Sequence, residues 1–522
     1  MMRHTERVAW LLLAAAGAIQ LALLVTAIAG RITYPFDLEW MEGGLLHHAE
    51  RVGGAGIYVP PSVEFIPYVY TPLYPAVLKA LGSVFGLSYP LGRAISVLAT
   101  LAVLGVGARV VTRDSDADRF ARIGAALGMV GLVCAGYVWV EGWYDIVRGD
   151  MMFLAMCFCG LAAIPRCAAT TGRRGHILVA CAGAWLALAF FAKQTGIFVV
   201  AIGGALVLFR SWRKTPAYVA GAGAVGLTGT WLINYVTDGW FWTYVFEVPQ
   251  SHDVNTDRVV DSFKFVLVQY PTMTVLMALG LVAAIIARRR QRHPLYRATI
   301  EWVCIFVATS AVGALSWGKA WAHFNAYLPA LISGSIGAGL SLLTLQRALA
   351  NASLWPRALV PASAVALAVQ LLLVTWSPSD YIPTEADRRA GENLIATIAA
   401  IDGEVMVPFH PWYARMAGKT PTVHRMGIID TSFGKRRWQI AGLREAFANH
   451  RFAAVVLDNR PPRGDFPGLT LYYRKQRTLS PDHAPRVFTG AGMAAARKYL
   501  LVPQTIWVPR TATTDRHAPG PL

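Results

Sequence analysis

Residues 8–42 read VAWLLLAAAGAIQLALLVTAIAG followed by RITYPFDLEWME: an uncharged run from Val8 to Gly30, then Arg31, then three carboxylates within six residues at Asp37, Glu39 and Glu42. A run of this length is what crossing a hydrocarbon core of roughly 30 Å requires. The acidic stretch therefore opens where the chain leaves a membrane. If it is helical, Glu39 and Glu42 share a face at i,i+3, and Asp37 lies with Met41. Beside Trp40, such a cluster suits a general base or a cation site. It also suits an ordinary helix start, because the helix dipole favours acidic residues in a first turn.

The same apolar character recurs along all 522 residues: 55% are hydrophobic and only 15% charged, and mean hydropathy is +0.43. Spans are predicted at 8–30, 91–111, 123–140, 151–165, 177–192, 196–209, 216–236, 265–287, 299–315, 324–345 and 358–376, about eleven in all. No small-residue cleavage site and soluble domain follow the first, so it reads as an anchor and not a cleaved signal. Basic residues concentrate in alternate connections, among them Arg113, Arg119 and Arg122; Arg173 and Arg174; Arg210 and Lys214; and Arg288 to Arg290. The positive-inside rule places these connections and the N-terminus in the cytoplasm. The acidic loop and the C-terminal tail then lie outside, in a multi-pass protein of the plasma (bacterial inner) membrane. The formal charge of +18 is mostly this bias plus a basic tail, and calls for no nucleic acid.

One stretch needed arbitration. A single helix over 177–209 would be roughly 50 Å long, too long for one crossing. Its flanks, Arg173-Arg174 and Arg210 to Lys214, are both basic. Two short spans meeting at Lys193-Gln194-Thr195 on the outer side satisfy both facts. The six cysteines lie in or beside spans, so the tail has no disulfide framework and no Cys-type zinc site.

The first outer loop, 31–90, is too long and aromatic for a plain connector. A helix is predicted from Trp40 to about Val52, ended by Gly53-Gly54. An extended run follows through Tyr70-Thr71-Pro72-Leu73-Tyr74-Pro75, since each Pro biases its predecessor away from helix. Its Tyr and Trp suit an interfacial belt and equally a surface for sugar rings. His47 and His48 are adjacent and lack metal-ligand spacing. The next outer turn holds Asp145, Arg148 and Asp150, with Asp145 and Arg148 at pairing distance if helical. Later outer turns add Lys193, then Lys319, His323 and Asn325, and the 237–261 loop adds Glu247, His252 and Asp253. Titratable groups thus gather at the outer ends of spans. A coupled transporter or lipid-linked sugar flippase, the alternative function, needs them near the midplane.

The tail, 377–522, is long enough for a small domain. Helices at Arg389 to Ile401 and Trp438 to His450 alternate with strands at Glu404 to Phe409 and Phe452 to Leu457, an α/β pattern. Pro461-Pro462-Arg463-Gly464 reads as a turn, and the last ten or so residues as disordered. The expected fold is an all-α polytopic membrane domain, 1–376, with a small extracytoplasmic α/β domain.

The acidic motif after the first span, the Tyr-Thr-Pro-Leu-Tyr-Pro of 70–75, Arg-Gly-Asp at 148–150, Lys-Gln-Thr at 193–195, Gly318-Lys319 and Asn325 together resemble the GT-C glycosyltransferases. The likeness is to the bacterial branch related to protein mannosyltransferases and to the aminoarabinose transferase of lipid A, and it covers roughly 8–376. It implies a polyprenyl-phosphate sugar donor in the lipid bilayer and an envelope glycan, lipid or protein acceptor. A first-loop carboxylate would be the base, Asp37 foremost and Glu39 next, with Glu42 a rival. Asp145 or Asp150 would match the second-loop acid, and Arg148, Lys193 and Lys319 would meet the departing phosphate, with His323 and Asn325 also lining the substrate site. Some such enzymes hold a divalent metal, Mg or Mn, on carboxylates, and others use none.

Overall fold

A computed structural model describes residues 2–320, 322–459, 464–488 and 502–510. Trp321, most of the turn expected over 461–464 and the terminal residues 511–522 fall outside the described residues.

Helices occupy all eleven predicted places. Among the described residues, eight segments are long and apolar enough to cross a membrane, counting Gly196–Val236 as one. That segment is two helices, Gly196–Ser211 and Thr215–Val236, joined by a short 3-10 turn. The helix Gly172–Phe190 ends at Phe191, and Gly196–Ser211 begins just beyond Lys193, the break that span length demanded. Within the bundle the first helix, Met2–Arg31, lies against Arg119–Ala135 at a seam of small residues. A Cβ on Gly17 would come within 2.1 Å of the Leu127 carbonyl oxygen, and one on Gly131 within 2.6 Å of the Gly17 Cα. In lipid, helices associate through such close backbone approach, there being no hydrophobic drive between them.

Two expectations are corrected. The extended run of the first loop stops at Pro72, and Leu73–Phe85 is a helix with Pro75 in its first turn, where proline is tolerated because the N–H there has no intrahelical partner. The span expected over 265–287 is two helices, Thr256–Gln269 and Pro271–Arg290. Pro271 drives Tyr270 out of the helical region, to φ −131° and ψ 54°. The acidic-loop helix itself runs Glu42–Arg51.

Basic residues gather at one end of the bundle, where Arg210 pairs with Glu301 at 2.5 Å, Arg357 with Glu6 at 2.7 Å, and Arg347 with Asp116. The acidic loop and the tail occupy the other end. In the tail, strands β1 (Glu404–Met406), β2 (Phe452–Asp458), β3 (Tyr473–Thr478) and β4 (Pro503–Pro509) form one sheet in the order β1-β2-β4-β3. β1 and β2 are parallel, as the βα alternation predicts; the β2–β4 and β3–β4 pairs are antiparallel. The tail helices run Glu385–Ala399, opened by a Thr384–Asp387 capping box, and Leu443–Ala448. The tail does not keep a core to itself. Phe36 and Leu38 of the first loop share a buried cluster with Trp412, Tyr413 and Ile506. Backbone bonds stitch the two together, Phe488 N–H to the Leu38 carbonyl at 2.8 Å and Val423 N–H to the Val63 carbonyl at 3.0 Å.

Candidate active site

The acidic loop is a series of tight turns before the Glu42–Arg51 helix, and its three carboxylates face three ways. Glu42 turns inward. Its carboxylate accepts from Arg93 at 2.7 and 3.0 Å, from Leu38 N–H at 2.6 Å and from Val147 N–H at 2.7 Å. Both partners of this ion pair are fully buried, and Glu42 is a structural anchor for two loops at once. Asp37 turns to the tail. One oxygen accepts from Gly43 N–H at 2.8 Å, and the other lies 2.7 Å from His410 Nδ1. On the far side, His410 Nε2 lies 3.1 Å from Asp458. The ring stacks on Tyr413 at 4.8 Å. All three members of the trio are buried.

Burial alone would pull His410 down, but the carboxylates of Asp458 and Asp37 push it up to about 10, so it stands as an imidazolium between two acids. The linkage sign follows. A histidine whose folded value lies above its ordinary 6.5 adds stability that is complete below 6.5 and lost as pH rises through 10. The melting temperature of the protein is expected to fall across that window, and His410→Gln to lower it at pH 6 and flatten the slope. An unchanged slope in the variant refutes the charged-histidine assignment.

Glu39 alone turns toward the membrane-side cluster. It lies 3.5 Å from Arg148 and accepts from Met41 N–H at 3.2 Å. Burial pushes its carboxyl up to about 8, against the pull of the Arg148 guanidinium. Arg148 donates to the Tyr70 hydroxyl at 2.7 Å and lies 3.8 Å from Asp150. Asp150, at the head of the Asp150–Ala169 helix, collects Lys193 at 2.5 Å, the Asn325 amide at 2.9 Å and the Trp143 indole at 3.0 Å. His323 stacks on Trp143 at 5.0 Å, with Nε2 3.6 Å from Glu141. Glu141 takes a left-handed backbone at φ 51°, a conformation that costs a non-glycine residue energy and recurs at functional sites.

The sequence thus marked Glu39, Arg148, Asp150, Lys193, His323 and Asn325, and the fold brings them to one place. It sends others elsewhere. Asp145 does not pair with Arg148; it is held by Arg31 at 2.5 and 2.8 Å and by the Tyr137 hydroxyl at 3.2 Å. Residues 141–149 are turns and not helix, so the i,i+3 spacing does not apply. Lys319 points to the Pro249 carbonyl at 3.1 Å. His48 bonds the Gly44 carbonyl and Tyr68 N–H, and His47 packs on Phe65, both as core residues. His410, Asp458 and Asp430 of the tail were not singled out, because nothing local in the sequence marks them.

The donor set does not fit a divalent metal. Asp150 is already met by Lys193 and Arg148, and Glu39 by Arg148. Among the described residues, no three His, Cys, Asp or Glu side chains converge as ligands would.

The helical bundle, whose first two loops set carboxylates against an arginine and a hairpin lysine beneath a mixed α/β tail, has a fold similar to that of solved structures of ArnT. More particularly, the model of glycosyltransferase family 87 matches residues 68–304. ArnT from Cupriavidus metallidurans bound to undecaprenyl phosphate superposes with a TM-score of 0.54 at 14% identity, over 97% of this chain and 98% of that one. Its apo state gives 0.55, also at 14% identity, over 95% and 98%. The Archaeoglobus fulgidus oligosaccharyltransferase lies further off, at 0.46 and 11% identity over 89% of this chain and 72% of that one. No curated protein matches the chain in sequence.

Proposed function

We propose that the protein transfers a sugar from a polyprenyl-phosphate donor to an acceptor hydroxyl at the outer face of the membrane, with Glu39 as the base. The observation that carries this reading is the convergence of Glu39, Arg148, Asp150 and Lys193 at one end of the bundle. The bond between the anomeric carbon and the phosphate oxygen breaks as the acceptor oxygen bonds to that carbon, through an oxocarbenium-like state. Glu39 takes the acceptor proton. Arg148 and Lys193 meet the charge that grows on the leaving phosphate. Asp150 fixes both cations. Asp37, with each oxygen already engaged, holds the turn that carries Glu39.

Two further observations support an enzyme over a transporter. Polar contacts deep in the bundle include uncharged hydroxyl pairs, Thr299 with Thr344 at 2.7 Å and Thr309 with Ser333 at 2.8 Å. The acids and bases above sit at helix ends. The ArnT structure solved with undecaprenyl phosphate bound supports the lipid-linked donor.

The test is purified protein incubated with a panel of polyprenyl-phosphate sugars, with released lipid phosphate as the readout. Release from at least one donor is expected, and none from any donor, with acceptor extract present, refutes the proposal. In the same assay Lys193→Ala is expected to lose about 100-fold in turnover, the scale for removing one charge-stabilising donor. A loss of only a few-fold makes Lys193 an interfacial anchor.

A further inference from the structure

Asp430 lies on the tail helix Arg425–Ser432, is 2% exposed, and among the described residues has no hydrogen-bond partner on either carboxylate oxygen. A buried carboxyl without partners is costly to a fold, so the position calls for a ligand to complete it. His252 approaches it: its Nε2 bonds the Asp430 backbone carbonyl at 3.0 Å and stays 3.8 Å from the carboxylate. Burial holds His252 below its ordinary value, so its ring is neutral and leaves the carboxylate unmatched.

The helix starts against the first loop. At its head, the His424 ring reaches the Trp40 carbonyl at 3.1 Å, one residue from Glu39. Gly427 packs directly on Ile66 of the first loop. Burial pushes the Asp430 carboxyl up to about 8 while the Arg148 guanidinium pulls against it, and Asp430 in turn acts on the Tyr70 hydroxyl. Arg148 is thus shared between Glu39, Asp150 and the field of Asp430.

We propose that Asp430 binds hydroxyl groups of the donor sugar, making the tail a part of the sugar site. This rests on the transferase reading: with the donor phosphate at Arg148 and Lys193, the sugar next to it is the group that would reach a buried carboxyl lying within the field of Arg148. A carboxyl held protonated at neutral pH donates its O–H and accepts on its other oxygen, and neighbouring sugar hydroxyls can take both roles.

Binding of undecaprenyl phosphate and of undecaprenyl-phosphate hexoses is measured on the full chain in detergent, beside transfer and thermal melting. Wild type is expected to prefer the best sugar-bearing lipid. Asp430→Ala is expected to lose about 10- to 100-fold of that preference, with affinity for the bare lipid phosphate unchanged. Asp430→Asn, which keeps one acceptor oxygen, is expected to lose less. Asp430→Ala is expected to melt higher than wild type in the empty state, because the unmatched carboxyl is gone; removal of a merely structural residue would lower the melting temperature. Transfer by wild type with an unchanged preference in Asp430→Ala overturns the sugar assignment and leaves the transferase reading standing. A wild type that neither prefers the sugar-bearing lipid nor turns over overturns both.

Discussion

Glu39→Gln is expected to fold like the parent and to turn over about 1000-fold more slowly, in the range for loss of a general base. Glutamine keeps the volume and can still accept from Met41 N–H, but it cannot take a proton. The pH dependence gives a second, independent readout. With its carboxyl raised to about 8 by burial, Glu39 is largely protonated at neutral pH, so turnover should climb as pH rises toward 8 and level off above it. The charges that shape this value are Arg148, which lowers it, and Glu42 and Asp37, which raise it. The same shift has a stability consequence of known sign. A carboxyl raised in the folded state adds stability that is complete below its ordinary 4.5 and lost as pH rises through 8. Glu39→Gln should remove that component, measured against an Asp430→Asn background because Asp430 titrates in the same window. Turnover of the glutamine variant within a few-fold of wild type would move the base elsewhere, and Asp37→Asn would be the next protein to assay.

The largest loss of stability is expected from Glu42→Ala, about 3–5 kcal/mol, the scale for breaking one side of a buried ion pair. The reason lies in what remains. Arg93 would keep a buried charge, and the N–H groups of Leu38 and Val147 would lose their acceptor. Arg93 also donates to the carbonyls of Tyr34 and Phe36 at 2.5 and 2.6 Å, so its side chain is not free to leave. Thermal melting in detergent reads the effect, and Glu42→Ala with Arg93→Met should recover part of the loss, since the stranded charge goes with it. Additive losses in the double variant would count against the pairing.

Much of this fold was legible from hydropathy, because span length and the placement of arginines are set by the bilayer itself. Chain geometry divided 177–209 at Lys193, and there the model bears it out. The first loop and the second were also visible as acidic clusters, yet their internal wiring was not. Helical spacing suggested Asp145 with Arg148, but the backbone there turns, and Asp145 meets Arg31 from 114 positions away. Likewise the resemblance put Asp37 foremost as the base, with no sign of its partner His410, 373 residues later. Contacts at such separations leave no periodicity to detect. The helix Leu73–Phe85 was lost to a rule about proline that weakens in a first turn.

The helix Gly196–Ser211 has 16 residues, hence a length of about 24 Å against a hydrocarbon core of about 30 Å. Lys193 stands at one end and Arg210 at the other, so neither end has apolar chain in reserve. The bilayer beside this helix must thin by some 6 Å, or its charged ends must draw lipid headgroups and water inward. Either way, a dimple forms where Lys193 meets Asp150. A lipid phosphate diffusing in that leaflet would find its headgroup already level with that ammonium, without being lifted out of the membrane. Bilayers of longer acyl chains should deepen the mismatch, and chain length then becomes a control on how easily the substrate is presented.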